Sequence, residues 1–177
     1  MVGGYALRYA LDDDSVKTVT AIVRRKLGIS HPKLREVLHA DFADCSTLSS
    51  ALSGQDAVVF CLGTYTGAVS DAELRKVTLD YTIEFARVLR GASPQAAFSF
   101  LSGNGADPTG KSRIAFARYK GEAENGLIAA GFPSVYLCPP RLYLSSRATQ
   151  GTEFHLPPFA RHLPCVSRAL PQSRGSS

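Results

Sequence analysis

Four short stretches of the chain carry residues able to do chemistry. Gly3 and Gly4 stand just before the helix-like run ALRYALDDDS, and small residues at a helix start leave amide groups open to an anion. Arg24, Arg25 and Lys26 directly follow SVKTVTAIV (residues 15–23); arginines hold phosphate through charge-assisted, two-pronged hydrogen bonds. Ser102 closes AFSFLS (97–102), and Tyr119 and Lys120 lie within IAFARYKGEAENGLIAA (114–130). A hydroxyl, a phenol and an amine are each able to donate a hydrogen bond and exchange a proton. Each stretch also has a plain structural reading: a loose chain end, a solvated basic loop, a strand terminator and a solvated helix charge.

Hydrophobic periodicity supplies the frame for these groups. Residues 15–23 are rich in β-branched side chains and read as a strand, as does REVLHADF (35–42). CSTLSSALSG (45–54) places Leu48, Ala51 and Leu52 on one helical face, with Gly54 as its stop. AVVFCLG (57–63) is a near-continuous apolar run, as in a strand covered on both faces. From Asp71 to Arg90 the apolar positions Leu74, Val77, Tyr81, Phe85, Val88 and Leu89 recur at helical spacing. AFSFLS reads as a strand, 114–130 as a helix closed by Gly131 and Pro133, and SVYLC (134–138) as a last strand. Strand and helix alternate over short connections. This predicts an α/β fold, a Rossmann-like doubly wound parallel sheet with sites beyond the carboxyl ends of its strands. The loops after Val23, Asp41, Leu62 and Leu101 then matter most.

The contents of those loops carry a resemblance. VFCLGTYTG (59–67), VTLDYTIEFAR (77–87), FLSGNGAD (100–107) and YKGEAE (119–124) follow one another in an order similar to the atypical short-chain dehydrogenase/reductases, in particular the branch of HIV Tat-interactive oxidoreductase-like proteins. The resemblance covers roughly residues 1–140 and rests chiefly on the paired CLGT and LS-x-x-GAD segments. It implies an NAD(P)-binding domain whose first strand enters a G-x-x-G-x-x-G turn, with Gly3 at the third glycine. The first strand and two glycines would precede Met1, so the sheet is expected to lack its first strand. By the same resemblance Arg24 and Arg25 replace the acidic residue that binds the ribose of NAD, favouring the 2′-phosphate of NADP. Asp41 and Phe42 are placed beside the adenine, and Leu62, Gly63 and Thr64 beneath the nicotinamide-side ribose. Asp41 as a strand-end cap and Gly63 as a simple turn are the structural alternatives.

Chemistry in that family uses a serine, a tyrosine and, four residues later, a lysine that also holds the cofactor ribose. Ser102 and Lys120 fall at the first and last of these positions, but Phe116 stands where the tyrosine is expected. Phenylalanine has no proton to give. Tyr119 is the neighbouring phenol, turned about 60° around the helix from Phe116, and is the candidate replacement. The implied activity is NADP(H)-linked oxidation or reduction of a small carbonyl or alcohol, impaired at Phe116. A non-catalytic cofactor- or protein-binding protein, and a gene remnant without stable function, are the alternatives.

Composition sets the outer limits. The 177 residues, 45% hydrophobic and 20% charged, suit one globular domain. No apolar run approaches the ~20 residues that span a bilayer, and no signal-type leader is visible. The expected compartment is therefore the cytoplasm, without a membrane partner. Net charge is +5, yet residues 141–177 hold five arginines against Glu153 alone, which is +4 of the total. Such placement argues against a folded nucleic-acid-binding face. That proline-dotted stretch is expected to be an irregular tail beyond a domain at 1–140, unlike the family's continuation in the way a shifted reading frame would leave it. Cys45, Cys61, Cys138 and Cys165 show no Cys-x-x-Cys spacing, so four reduced structural thiols and no metal are expected.

Overall fold

The computed structural model describes residues 2–65 and 67–138. Helix α1 (Val2–Asp12) half-buries Ala6, Leu7 and Ala10, buries Leu11, and leaves Tyr5 and Tyr9 in solvent. Strand β1 (Val19–Val23), four of whose five residues are β-branched, pairs in parallel with β2 (Leu34–Leu38). A 3-10 turn (Ser46–Leu48) leads into the single-turn α2 (Ser49–Leu52). The chain reverses at Gly54, whose φ of +70° carries no penalty for glycine alone. Strand β3 (Ala57–Phe60) follows. Then come α3 (Asp71–Arg75), a π turn (Lys76–Asp80) and α4 (Tyr81–Ala92). Strand β4 (Ala97–Leu101), α5 (Ala115–Ala129) and β5 (Val135–Cys138) complete the described chain.

All pairings are parallel, in two sheets of order β1-β2 and β3-β4-β5. A doubly wound sheet with these crossovers carries one more strand between β1 and β3. Among the described residues none lies there, and α1 packs against both β1 and β3 across the interval. The α/β class and the alternation read from the sequence hold. Three details differ. Ala57, Val58 and Val59 are only half-buried, because one lateral edge of β3 has no strand beside it among the described residues. β2 stops at Leu38 rather than Phe42; the last ladder bond runs from His39 N to Val23 O at 2.9 Å. The single helix expected over Asp71–Arg90 is broken by the π turn, whose wider turn brings Thr78, Leu79 and Thr82 all inside.

The core is built on aromatic side chains of β3, β4 and α4. Phe60 lies 5.1 Å from Phe85 and 6.0 Å from Phe98 between ring centroids, and Phe98 lies 5.2 Å from Phe132. Phe98 and Phe100 are fully buried on one face of β4, alternating with the half-buried Ser99. Each such ring pair adds about 0.5–1.5 kcal/mol to the burial itself. Cys45 and Cys61 are free thiols, but Cys138 is disulfide-bonded. The expectation of four reduced thiols fails there, since pairing follows proximity in space, which sequence spacing does not reveal. The expected tail at 141–177 lies outside the described residues. No helix among those described is long and apolar enough to cross a membrane.

The split between the sheets generates a test. An apolar five-residue strand and glycine turn placed ahead of Val2 should pair with the open edges of β1 and β3. Amide exchange at Val19–Val23 and Ala57–Phe60 is expected to slow, and the melting temperature to rise. Unchanged exchange in both strands would show that these edges do not accept a strand.

Candidate functional site

Helix α5 presents Phe116, Lys120 and Glu124 at four-residue intervals, so the three share one face. That stripe lies along the chain leaving β4. The Phe116 ring abuts Gly103: a Cβ there would sit 2.6 Å from Phe116 Cε1 and 3.4 Å from Lys120 Cγ. Lys120 Nζ donates to Leu101 O at 2.8 Å and stands 4.2 Å from the centre of the Phe100 ring. Ser102 Oγ donates to Glu124 Oε1, and its backbone N–H donates to Cys138 O at 2.9 Å, extending the β4–β5 ladder. Ser102 and Lys120 are each 5% exposed. The structure thus brings Ser102 and Lys120 to the same stripe, Ser102 through Glu124 and Lys120 through the Leu101 carbonyl.

The electrostatics follow from burial. Desolvation pushes the Lys120 ammonium down to about 8, against the opposing pull of Glu124 and Cys61. The Cys61 thiol is pushed up to about 11 by burial, which leaves it neutral and unreactive. Phe116 brings a ring edge where the family resemblance calls for a phenol. Tyr119 points elsewhere: its hydroxyl donates to Asp71 Oδ2 on α3 at 2.7 Å. That bond, helped by burial, raises the Tyr119 pKa, the opposite of what proton transfer near neutrality requires. The geometry makes Tyr119 a tie between α5 and α3.

The remaining candidates gather at the strand exits. Gly3 lies in the first turn of α1, where a Cβ would sit 3.5 Å from Cys61 Cβ just past β3. Gly4 and Gly63 both face open space. Leu62 packs on the core while Thr64 is half-buried. Arg24 and Arg25 follow β1 as exposed residues, with no hydrogen bond or ion pair to any described residue. Asp41 Oδ1 accepts from Ala43 N and from the Tyr81 hydroxyl, each at 3.0 Å, and these bonds hold its carboxyl below the usual carboxylate range. It caps the turn after β2. Phe42 is buried, with its ring 6.3 Å from Phe85 and 6.1 Å from Tyr81, as part of the core. Open glycines in α1 and after β3, and exposed arginines after β1, are groups that suit a phosphate-bearing dinucleotide. Glu124 is the residue the sequence reading missed, although its four-residue spacing from Lys120 was the available signal.

A family model described as NAD(P)H-binding matches residues 1–168. Over 153 residues the chain is 31% identical to "Protein fmp52, mitochondrial" of Emericella nidulans and 29% identical to the protein of that name in Aspergillus niger. Each alignment covers 83% of this chain and 64% of the relative, so the chain spans a little under two thirds of the length of these curated proteins. Among solved structures, the Bordetella bronchiseptica enzyme WbmH in complex with NAD+ is similar in fold. The TM-score is 0.62 at 15% identity, covering 78% of this chain and 52% of that one.

The buried lysine makes a prediction about stability. Its folded value of about 8 lies below the 10.5 of a free lysine, so between those pH values the unfolded chain holds more protons. Stability then rises with pH through that window, by about 3 kcal/mol from this group. Urea unfolding of wild type and Lys120→Met at pH 7 and pH 10 should show the rise in wild type relative to the variant. Parallel profiles would mean that Lys120 is not buried as a cation.

Proposed function

We propose, from the premise that the chain belongs to the NAD(P)H-binding family, that it binds NADP(H) around α1 and is impaired in oxidising or reducing a small alcohol or carbonyl compound. That family is the grouping to which the resemblance to atypical short-chain dehydrogenase/reductases pointed. When bound, the nicotinamide supplies or takes up a hydride. The chain's own residues divide the other tasks. The first-turn amides of α1 and the open loop at Gly63 would hold the pyrophosphate and ribose side, and Arg24 and Arg25 the 2′-phosphate. Lys120 supplies a cation and Ser102 a hydroxyl beside the reacting groups.

One observation carries the reading of impaired turnover: Phe116 occupies the stripe beside Gly103, and the neighbouring phenol on α5, Tyr119, is engaged by Asp71. Among the described residues, then, no phenol is bonded to Ser102 or Lys120 to exchange a proton with a substrate oxygen. The same observation favours a second reading, a protein that binds cofactor or a protein partner without turnover.

Two measurements test these readings. NADPH-dependent reduction of aldehydes and ketones is expected to be negligible in the native chain and to rise at least tenfold in Phe116→Tyr, whose hydroxyl would extend from the ring edge beside Gly103. A robust native rate that disappears in Tyr119→Phe would overturn the assignment; NADP binding with no gain in Phe116→Tyr would select the non-catalytic reading. Calorimetric titration should separate the cofactors, because each arginine–phosphate contact contributes about 1.5–3 kcal/mol. The double variant Arg24→Ala, Arg25→Ala should weaken NADP binding more than tenfold and leave NAD binding nearly unchanged. Equal losses for both would remove the case for NADP.

A further inference from the structure

Glu124 has no part in the chemistry described so far, yet it bonds to Ser102 and shares a helix face with Lys120. It accepts the Ser102 hydroxyl proton, and it lies one helical turn beyond Lys120 on the same face of α5. Ser102 has a single proton, and that proton is committed to Glu124. Its oxygen therefore faces a ligand as an acceptor. Lys120 has three, of which one goes to Leu101 O, leaving donors for a ligand. Burial alone would drive so enclosed a lysine towards the neutral amine. The groups acting on it from the packed elements are Glu124 on α5 and Cys61 beyond β3, and the Cys61 thiol is neutral at ordinary pH. Among the described residues Glu124 is then the carboxylate that acts on Lys120.

We propose that Glu124 is a positioning residue, which fixes Ser102 as a hydrogen-bond acceptor and keeps Lys120 cationic, so that serine and lysine act as one polar unit. The carboxylate touches neither cofactor nor substrate; it acts through its two neighbours. The role deepens the cofactor-site reading and rests on it for its functional meaning, but its physical content lies wholly within this chain.

The test follows Lys120 in the unliganded protein by NMR of 13C-labelled lysine side chains, the resonance being identified by its loss in Lys120→Arg. In wild type the Lys120 midpoint is expected near 8. In Glu124→Gln, which keeps the shape and loses the charge, it should fall by roughly half to one pH unit. At pH 7 that is about a three- to fivefold larger fraction of neutral amine. Glu124→Asp should recover part of the fall. Circular dichroism and the melting temperature show whether each variant is folded; a folded Glu124→Gln with an unchanged Lys120 midpoint overturns the proposal. Fluorescence titration with NADPH runs in parallel. Absent NADPH binding in wild type counts against the cofactor reading, while the lysine titration still decides the role of Glu124.

Discussion

The close seating of α5 on the chain emerging from β4 is the constraint on which the site depends. At two points the helix and that chain approach where only glycine fits: Gly103 under the Phe116 ring and Gly121 against the backbone of Asp107. A side chain at Gly121 would overlap the Asp107 carbonyl, so backbone meets backbone there without intermediary. Hydrogen bonds then fasten the intervening loop over the helix, with Asp107 N donating to Ala117 O at 2.8 Å and Arg118 Nη1 to Ser112 O at 2.8 Å. Asp107 also accepts from Thr109 N and Ser112 N, which closes the loop on itself. With both sides pinned, the stripe of Phe116, Lys120 and Glu124 has one register against residues 101–103. The order of side chains along the site is therefore a packing result.

That packing explains how an ammonium group is kept inside. Lys120 loses nearly all contact with water and recovers part of the loss from Leu101 O, from the face of Phe100 and from the nearby charge of Glu124. Phe116 contributes only a ring at 6.0 Å from the ammonium. A phenol in its place would have offered an oxygen, so the phenylalanine changes more than a proton donor. It leaves the lysine dependent on a backbone carbonyl, an aromatic face and one carboxylate. On the reading proposed above, the site suits binding and is short of one group for proton transfer.

Much of this was legible in the residue pattern, and the limits have physical causes. The end of helix α5 was readable from Gly131, whose φ of +76° makes it a natural helix end. Strands β3, β4 and β5 were readable as short apolar runs bounded by turn residues. The π turn at Lys76–Asp80 was not, because one extra residue in a turn leaves the composition unchanged and shifts only the register. Ser102 and Lys120 were found through spacing and resemblance. Tyr119 was drawn in by being adjacent in sequence, whereas its direction is decided by an acceptor forty-eight residues away, Asp71. Phe42 was carried over as a cofactor neighbour, yet apolar burial claims its ring for the core. Single residues whose orientation depends on distant partners are the ones a linear pattern places least well.

The two halves of the proposed site also rest on different foundations. Ser102, Lys120 and Glu124 belong to the three-stranded sheet and its aromatic core, where β4 has a strand on either side. Gly3, Arg24 and Arg25 belong to α1 and the exit of β1, and β1 has only β2 for a neighbour among the described residues. Helix α1 is the shared element, since it packs on both β1 and β3. On the reading proposed above, a dinucleotide held by Arg24 at one end and Lys120 at the other must span both sheets. Its binding energy would then act across the interval between them, favouring the state in which they are docked together. The chemistry half can be ordered without ligand, while the cofactor half gains order from the ligand it holds. Affinity for the cofactor is on this account set by how firmly β1 and β3 are held in register as much as by the groups that touch it.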